Sequence, residues 1–269
     1  MGRLTLMATL HSPVVNKEDN QKISTERLTP QTAYHVPLWK ALTGLIMSYV
    51  IVGAFFIAHG AIGFAEKGVA ARIIFFHVPC AVLSSIAYFV GFFYAARYLL
   101  KLKSEKIKPF LDDYRSAAAM ELGFLFCLLA TITGSIFAGV QWGSFWNWDP
   151  RETSIVVMLL LYASYLLLRA ANSLKPELRA RLSAVYAVVA LVPAQFLIWA
   201  VPRILATMHP TTTLTDPRMT SLSYKMVLYP AFIAFVLLFI WLMQLRVRMM
   251  MLWEQHRHNA QQTMETDYR

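Results

Sequence analysis

The chain has 269 residues, of which 57% are hydrophobic and only 15% are charged. A soluble domain carries roughly 25% charged residues, so this composition excludes an ordinary soluble domain and indicates an integral membrane protein. The formal net charge of +10 does not indicate nucleic-acid binding, because the basic residues cluster in short connections between apolar segments.

Six apolar segments follow one another along the chain, each close to the roughly 20 residues that a helix needs to cross a bilayer. In a single chain of this composition, helices are the elements that satisfy their own backbone in lipid. We therefore predict an all-α integral membrane protein with six transmembrane helices. The predicted spans are residues 39–58, 72–99, 116–140, 154–171, 182–201 and 222–245.

One membrane domain is predicted over residues 39–248, with a flexible tail at 1–38 and a second tail at 249–269. Lysine and arginine indicate its orientation, because cytosolic connections of membrane proteins carry an excess of both. Of the 25 such residues, 19 fall in or next to the two tails and the second and fourth connections. Both termini are therefore predicted to be cytosolic, which places the connection at 141–153 outside.

Two cysteines, Cys80 and Cys127, both fall inside apolar segments. They form no C-x-x-C pair, so the sequence gives no sign of a thiol redox site. A disulfide is not expected, and we interpret both as small buried hydrophobic residues.

The outer connection contains the most unusual stretch of the chain, W-G-S-F-W-N-W-D-P-R-E-T at residues 142–153. Three tryptophans and one phenylalanine fall within its first seven residues, at a predicted boundary between membrane and water, where indole rings are favoured. Four large rings offer more flat surface than anchoring requires. We interpret this surface as a binding place for a flat, mostly apolar ligand with acidic edges, for which haem is the leading candidate.

The charged residues after the last tryptophan have a structural interpretation of their own. Asp149 fits the N-cap of the fourth helix, Pro150 its first residue, and Glu152 its third, from which a glutamate reaches back to the cap. Capping is the leading interpretation of both acids. It is compatible with a ligand nearby, because a defined helix start also fixes the loop before it.

Three of the seven histidines lie near the predicted outer face, namely His59, His77 and His209. His59 ends the first span and is interpreted as an interfacial residue. His77 lies about a turn and a half into the second helix, where an ionisable residue is a functional candidate. His209 follows the fifth span. Each alone is more often structural, but two imidazoles on the face of the aromatic loop predict axial ligands for haem iron.

Haem carries two propionates, and four arginines lie at the predicted outer face: Arg72, Arg151, Arg203 and Arg218. The guanidinium fork matches a carboxylate in two-point geometry. Arg72 precedes His77 by five residues, which places it slightly more than one turn nearer the water. For Arg203 and Arg218, a snorkelling interfacial arginine is an equally good interpretation.

The tryptophan stretch resembles the WWD signature of haem-handling proteins in cytochrome c assembly, a superfamily that includes CcmC, CcmF and CcsA. Within it, the chain resembles the CcmC family, the haem-delivery subunits of the cytochrome c maturation system. The length, the six predicted spans, the stretch R-I-I-F-F-H-V-P at 72–79 and the single histidine of the last outer loop all fit. The resemblance covers residues 39–248.

The resemblance implies a non-covalent haem b site at the outer face, between two histidines and the WWD loop. The histidines match His77 and His209, and Arg72 and Arg151 match positions that can hold the propionates. The loop signature is matched by Trp142, Trp146, Trp148 and Asp149.

The resemblance also implies partners and a place in the cell. The protein would lie among the lipids of the bacterial inner membrane and present haem to a membrane-anchored chaperone similar to CcmE, which binds it covalently. A one-span subunit similar to CcmD and an ATP-binding-cassette pair similar to CcmA and CcmB complete the complex. Since the covalent chemistry belongs to haem and the chaperone, the protein is not expected to be an enzyme in its own right.

Three alternatives remain open from the sequence. The motif ends D-P-R-E-T, which is closer to CcsA, the haem-handling subunit of the other assembly system, although CcsA proteins generally have more spans and histidines. A permease subunit would use the tryptophan loop as a gate and needs polar residues at the membrane midplane. The one acid inside a span, Glu121, lies near the cytosolic end instead and is expected to pair with Arg115 or a polar neighbour. A scaffolding subunit would use the loop for docking.

Overall fold

The computed structural model describes residues 37–58, 70–102, 110–171, 173–209 and 221–267. These residues form helices and no strand, and six of the helices are long and apolar enough to cross a membrane. The prediction of an all-α membrane protein with six spans is confirmed. The predicted tail at 1–38, apart from its last two residues, lies outside the described part of the chain, as do His59 and Arg218.

We number the helices in chain order. Their bounds are α1 Leu38–Phe56, a 3-10 turn Ala70–Ile73, α2 Ile74–Lys101, α3 Phe110–Trp142, α4 Pro150–Ala170, α5 Pro176–Gln195, a π-helical turn Phe196–Ala200, α6 Val201–Ile204 and α7 Leu222–Asp267. The fifth span, Pro176–Ile204, is continuous through α5, the π-helical turn and α6.

Helix α2 lies at the centre of the bundle. Three clusters of buried side chains hold the described helices together, and α2 contributes to each of them, through Tyr88, Phe75 and Leu83 among others. Half of its most apolar stretch is buried inside the protein, against at most 33% in the other spans. The two cysteines are free and buried, as predicted, and Cys80 belongs to α2. Side chains on this helix are therefore held in fixed positions.

The last helix continues well past the predicted span, which ends at residue 245. Helix α7 has 46 residues, or about 69 Å at 1.5 Å per residue, whereas the hydrocarbon core of a bilayer is about 30 Å thick. The sequence after Leu245 contains no glycine or proline before Asp267, and its methionine, glutamate, glutamine and arginine residues favour helix. The C-terminal tail is therefore a helical extension of the last span.

The end of α3 opposite to Trp142 carries a cluster of ion pairs. Asp112 accepts hydrogen bonds from Lys101 at 2.6 Å and from Arg97 at 3.1 Å. Asp113 accepts one from Arg169 of α4 at 2.7 Å. Both carboxylates are almost completely buried, so these pairs connect α2, α3 and α4 at this end of the bundle.

Glu121 pairs with a different arginine from the one expected. Its carboxylate accepts hydrogen bonds from Arg246 of α7, with Nη2 and Oε1 separated by 3.0 Å. Arg115 instead lies 3.8 Å from Asp112. The expectation that Glu121 has a polar partner is therefore confirmed, but the expected pairing with Arg115 is wrong. Helix α7 packs beside α3 and extends far enough to supply a nearer cation.

Replacing Asp113 by alanine is expected to destabilise the protein by about 3–5 kcal/mol, because it leaves the charge of a mostly buried arginine without a partner. The side chain of Arg169 is only 18% exposed. The matched control is Glu254→Ala, which breaks an ion pair of the same 2.7 Å length whose side chains are 45% and 47% exposed; such pairs contribute about 0–1 kcal/mol. Thermal unfolding in detergent measures both, and equal losses would contradict this account.

Candidate functional site

The tryptophan loop, residues 143–149, folds back over the end of α3. Gly143 ends the helix with a φ of 81°, a left-handed conformation that glycine adopts at little cost. Phe145 then lies on Gly139, where a Cβ atom would come within 2.7 Å of the ring. The Ser135 hydroxyl donates a hydrogen bond of 2.8 Å to the Phe145 carbonyl. The small residues of α3 thus provide the seat for this loop.

The predicted capping box at the start of α4 is confirmed. The Asp149 carboxylate accepts a hydrogen bond from the Arg151 N–H at 2.9 Å, and Pro150 is the first helical residue. The Glu152 Oε2 atom accepts from the N–H groups of Asn147 at 2.7 Å and Asp149 at 3.3 Å. These bonds fix the end of the loop.

Asp149 also connects this loop to the segment after α6. Its carboxylate accepts hydrogen bonds from the Thr207 hydroxyl at 2.7 Å and from the Met208 N–H at 2.6 Å. Burial alone would raise the pKa of Asp149, but the bonds from Met208, Thr207 and Arg151 hold it below its usual value. The carboxylate is therefore ionised at neutral pH.

His209 is held between Asp149 and Trp142, the last residue of α3. Its Nδ1 lies 3.2 Å from Asp149 Oδ1, and its ring meets that of Trp142 edge to face, with centroids 4.8 Å apart. Burial lowers the pKa of His209. The nearby Asp149 carboxylate raises it, but by less, and the positive charge of Arg151 lowers it further. The imidazole is therefore neutral at pH 7, which is the form that binds metals.

His77 is fixed by α3, the neighbour of its own helix. Its Nδ1 lies 3.0 Å from the Ala130 carbonyl oxygen and 3.2 Å from the Thr133 hydroxyl. A carbonyl only accepts, so Nδ1 carries the proton and Nε2 keeps its lone pair. The ring lies against Gly134, where a Cβ atom would come within 2.9 Å of Cε1.

Both imidazoles line one cavity of about 130 Å³. Trp146, Arg151 and Glu152 contribute polar and aromatic walls, and the π-helical turn contributes apolar ones. Two of the lining residues each carry a buried polar atom that makes no hydrogen bond among the described residues, namely Arg151 Nε and Glu152 Oε1. The cavity therefore combines two imidazoles, one indole and an arginine with an unused hydrogen-bond donor.

Of the predicted tryptophans, Trp146 is the one that lines the cavity. Trp142 packs on His209 and on Phe137, with ring centroids 5.8 Å apart in the second pair. Trp148 is 72% exposed and has a φ of 55°, which is uncommon for a residue with a side chain. Its ring meets that of Trp146 edge to face at 5.9 Å. The three indoles thus have different environments and do not form one flat surface.

The predicted arginines that the structure describes also lie in different environments. Arg151 lines the cavity, whereas Arg203 is exposed and its guanidinium lies 5.4 Å above the ring of Trp199. Arg72, in the 3-10 turn before α2, is half-buried, and its Nε is buried without a hydrogen-bond partner among the described residues. Among the described arginines, Arg151 is therefore the one placed to meet a ligand in this cavity.

Sequence reasoning missed three features of the site. Glu152 was interpreted as a cap alone, yet it also lines the cavity, and its second carboxylate oxygen is buried without a hydrogen-bond partner among the described residues. Gly134 was not singled out, although a glycine inside an apolar span signals a close approach by another group. The π-helical turn, a feature common at functional sites, has no local signal beyond the preceding Pro193.

Replacing Gly134 by alanine is expected to displace the His77 ring, because the new methyl group would lie 2.9 Å from Cε1. The ring cannot turn away without losing its hydrogen bonds to Ala130 and Thr133. We expect about a 10–100-fold loss of affinity for a ligand held by His77, the loss typical when the groups that orient a metal ligand are disturbed. The control is Gly44→Ala in α1, where nothing lies within 4 Å of the added atom. A haem titration that gave the wild-type affinity for both variants would contradict this packing.

Comparisons with known proteins show similarity to one family over most of the chain. The sequence profile of the family described as heme exporter protein C matches residues 20–263. A heme exporter protein C from Paracoccus denitrificans is 30% identical over 186 residues, or 68% of this chain and 74% of the relative. The protein of that name from Bradyrhizobium diazoefficiens is 33% identical over 125 residues, or 46% of this chain and 44% of its own. A CcsA cytochrome c biogenesis protein from Daucus carota is 38% identical over 65 residues, or 24% of this chain and 20% of its own.

The fold and the site define a multi-pass membrane protein with a cavity, lined by two histidines, at one end of its helix bundle. The chain belongs to the heme exporter protein C family, a membrane haem-handling family of cytochrome c maturation. The resemblance to CcmC is confirmed. The similarity to the CcsA protein covers about a quarter of the chain, so it extends over much less of the protein than the CcmC profile does.

Proposed function

We propose that this protein binds haem b non-covalently through His77 and His209 and delivers it to a haem chaperone. The observation that carries the proposal is that the two imidazoles share one cavity and make the same kind of hydrogen bond. Both line one cavity, and each uses Nδ1 to donate a hydrogen bond to an oxygen atom. Nε2 of each ring is then free to bind iron, as in other proteins that ligate haem through histidine.

The size of the cavity limits how haem fits. At about 130 Å³ it resembles the roughly 150 Å³ engineered cavity that holds one benzene molecule, so it takes only part of a porphyrin. The remainder would lie outside, where exposed aromatic rings of the loop are available. Partial enclosure suits a protein that hands its ligand to a partner, because an edge of the ligand stays accessible.

Two of the arginines suit the propionate groups of haem. Arg151 has a buried Nε without a partner among the described residues, and a propionate would satisfy it. Arg72, with an equally unpartnered Nε, is a second candidate for a propionate. For Arg203, the stacking on Trp199 favours an interfacial role. The protein would contribute ligation and orientation, and haem itself supplies the reactive chemistry.

The cellular setting follows from the family and from the charges of the sequence. We place the protein in the bacterial inner membrane, with both termini cytosolic and the haem site extracytoplasmic. Its partners would be a chaperone similar to CcmE, a one-span subunit similar to CcmD and ABC subunits similar to CcmA and CcmB. With covalent attachment completed on the chaperone, the protein acts as a transfer component rather than as an enzyme.

Separate replacement of Trp146 and Trp148 by alanine tests this function. Trp146 lines the cavity and Trp148 does not. We expect Trp146→Ala to weaken haem binding, and we expect Trp148→Ala to retain haem but to load the chaperone more slowly. Trp253→Ala, which removes an indole that is 74% exposed on α7, is the control. Normal haem content and normal chaperone loading in both loop variants would rule out the proposed role of the loop.

A further inference from the structure

Asp149 belongs to the tryptophan signature, but its carboxylate does not line the cavity among the described residues. Its side chain is 1% exposed, against 20% for His209. All of its hydrogen bonds go to the protein, from Arg151, Thr207, Met208 and His209. A group enclosed in this way has no surface left with which to touch a ligand in the cavity.

The bond from Asp149 to His209 selects one form of the imidazole. A carboxylate without a proton only accepts, so His209 Nδ1 donates and Nε2 is left as the ligating atom. A hydrogen bond to an ionised acceptor is also roughly twice as strong as one between neutral groups. In metal sites, such a partner fixes the orientation of a histidine and makes it a more basic ligand.

The two histidines therefore differ. His77 donates to the neutral carbonyl of Ala130 and lies near the neutral hydroxyl of Thr133. His209 donates to a charge. Ferric iron carries one more positive charge than ferrous iron, so a more basic ligand stabilises the ferric state more strongly.

We propose that Asp149 is the positioning residue of His209, and that through this hydrogen bond it makes His209 the stronger of the two iron ligands and lowers the reduction potential of the bound haem. The inference rests on the proposed haem site. It gives the aspartate of the loop a specific role: the same carboxylate that caps α4 and ties residues 207–209 to the loop also sets the electronic character of the bound iron.

The test is a spectroelectrochemical titration of the purified full-length protein loaded with haem, wild type against Asp149→Asn. Asparagine keeps the cap, because it is as good an N-cap as aspartate, but it removes the charge. If the ferric form loses tenfold more affinity than the ferrous form, the potential rises by about 59 mV. The control is Thr153→Val, which removes the 3.3 Å hydrogen bond from the Thr153 hydroxyl to the Trp148 carbonyl but keeps the backbone bond from the Thr153 N–H to the Asp149 carbonyl, and it is expected to leave the potential unchanged.

A second variant tests the same bond with Asp149 intact. His209→Ala opens a place that added imidazole or 1-methylimidazole can fill. Imidazole bound to iron keeps an N–H for Asp149 to accept, whereas 1-methylimidazole carries a methyl group at that position. We expect both to restore six-coordinate haem, with a higher potential for the methylated ligand.

The outcomes separate the two claims. Wild-type protein that takes up no haem with two imidazole ligands contradicts the proposed function. Haem that binds normally but has the same potential in the wild type and Asp149→Asn, or the same potential with the two added imidazoles, overturns the role of Asp149 alone. A rise in the Thr153→Val variant as large as that in Asp149→Asn also overturns it, because loop packing would then explain the shift.

Discussion

Replacing His77 or His209 by alanine is expected to remove most of the haem that copurifies with the protein. On the proposed function, each substitution would leave the haem iron with one protein ligand and would open a gap in the wall of a small cavity. The loss of affinity should exceed the about 10–100-fold loss that follows from removing a group that only orients a metal ligand. Haem content per protein, measured by the pyridine haemochrome absorbance, gives the result directly.

His256→Ala is the matched control for these variants. His256 is exposed on the helical extension of α7, far along the chain from the loop, and its loss should leave the haem content unchanged. If His77→Ala and His209→Ala both kept the haem content and the absorbance bands of the wild type, the ligand assignment would be wrong.

Replacing Gly123 by alanine is expected to cause a large loss of stability through overpacking. The added Cβ would lie 2.2 Å from the hydroxyl oxygen of Tyr162 and 2.5 Å from its Cζ. Tyr162 cannot yield easily, because its hydroxyl donates to the Ser84 carbonyl and its ring packs on Tyr88 with centroids 4.1 Å apart. Overpacking typically costs about 1–3 kcal/mol, and this contact is expected at or above the upper end, measured as the thermal midpoint in detergent.

A double variant separates packing from any effect of alanine on the helix. Shortening the opposing side chain by Tyr162→Leu removes the atoms that the new methyl group meets. Gly123→Ala should then cost much less in the Tyr162→Leu background than in the wild type, as residues in contact show a coupling of about 0.5–3 kcal/mol. Equal costs in both backgrounds would show that the contact between α3 and α4 is not the cause.

The local features of this protein were predictable from its sequence. Apolar length alone indicated the six spans, since each apolar segment is close to the roughly 20 residues that a helix needs to cross a bilayer. The capping box was also predictable, because Asp149, Pro150 and Glu152 act within one turn of each other. The prediction of the two histidines as one site depended on the orientation of the spans, and the structure brings both to one cavity.

The features that were missed depend on contacts between distant residues. Asp149 reaches Thr207 and His209, 58 and 60 residues away, and nothing in the loop itself indicates this. The partner of Glu121 is Arg246, 125 residues away, because α7 extends beyond its span. Likewise, three similar tryptophans gain different environments from the backbone path, above all from the left-handed conformation at Trp148.

The central claim is that His77 and His209 bind the same iron atom. Electron paramagnetic resonance of the ferric, haem-loaded protein tests it most directly, because two imidazole ligands give a low-spin signal that loss of either ligand converts to high spin. We expect a low-spin signal from the wild type and a high-spin signal from residual haem in His77→Ala and in His209→Ala. A wild-type protein that stays colourless after haem addition, or whose haem is high-spin, would contradict the account.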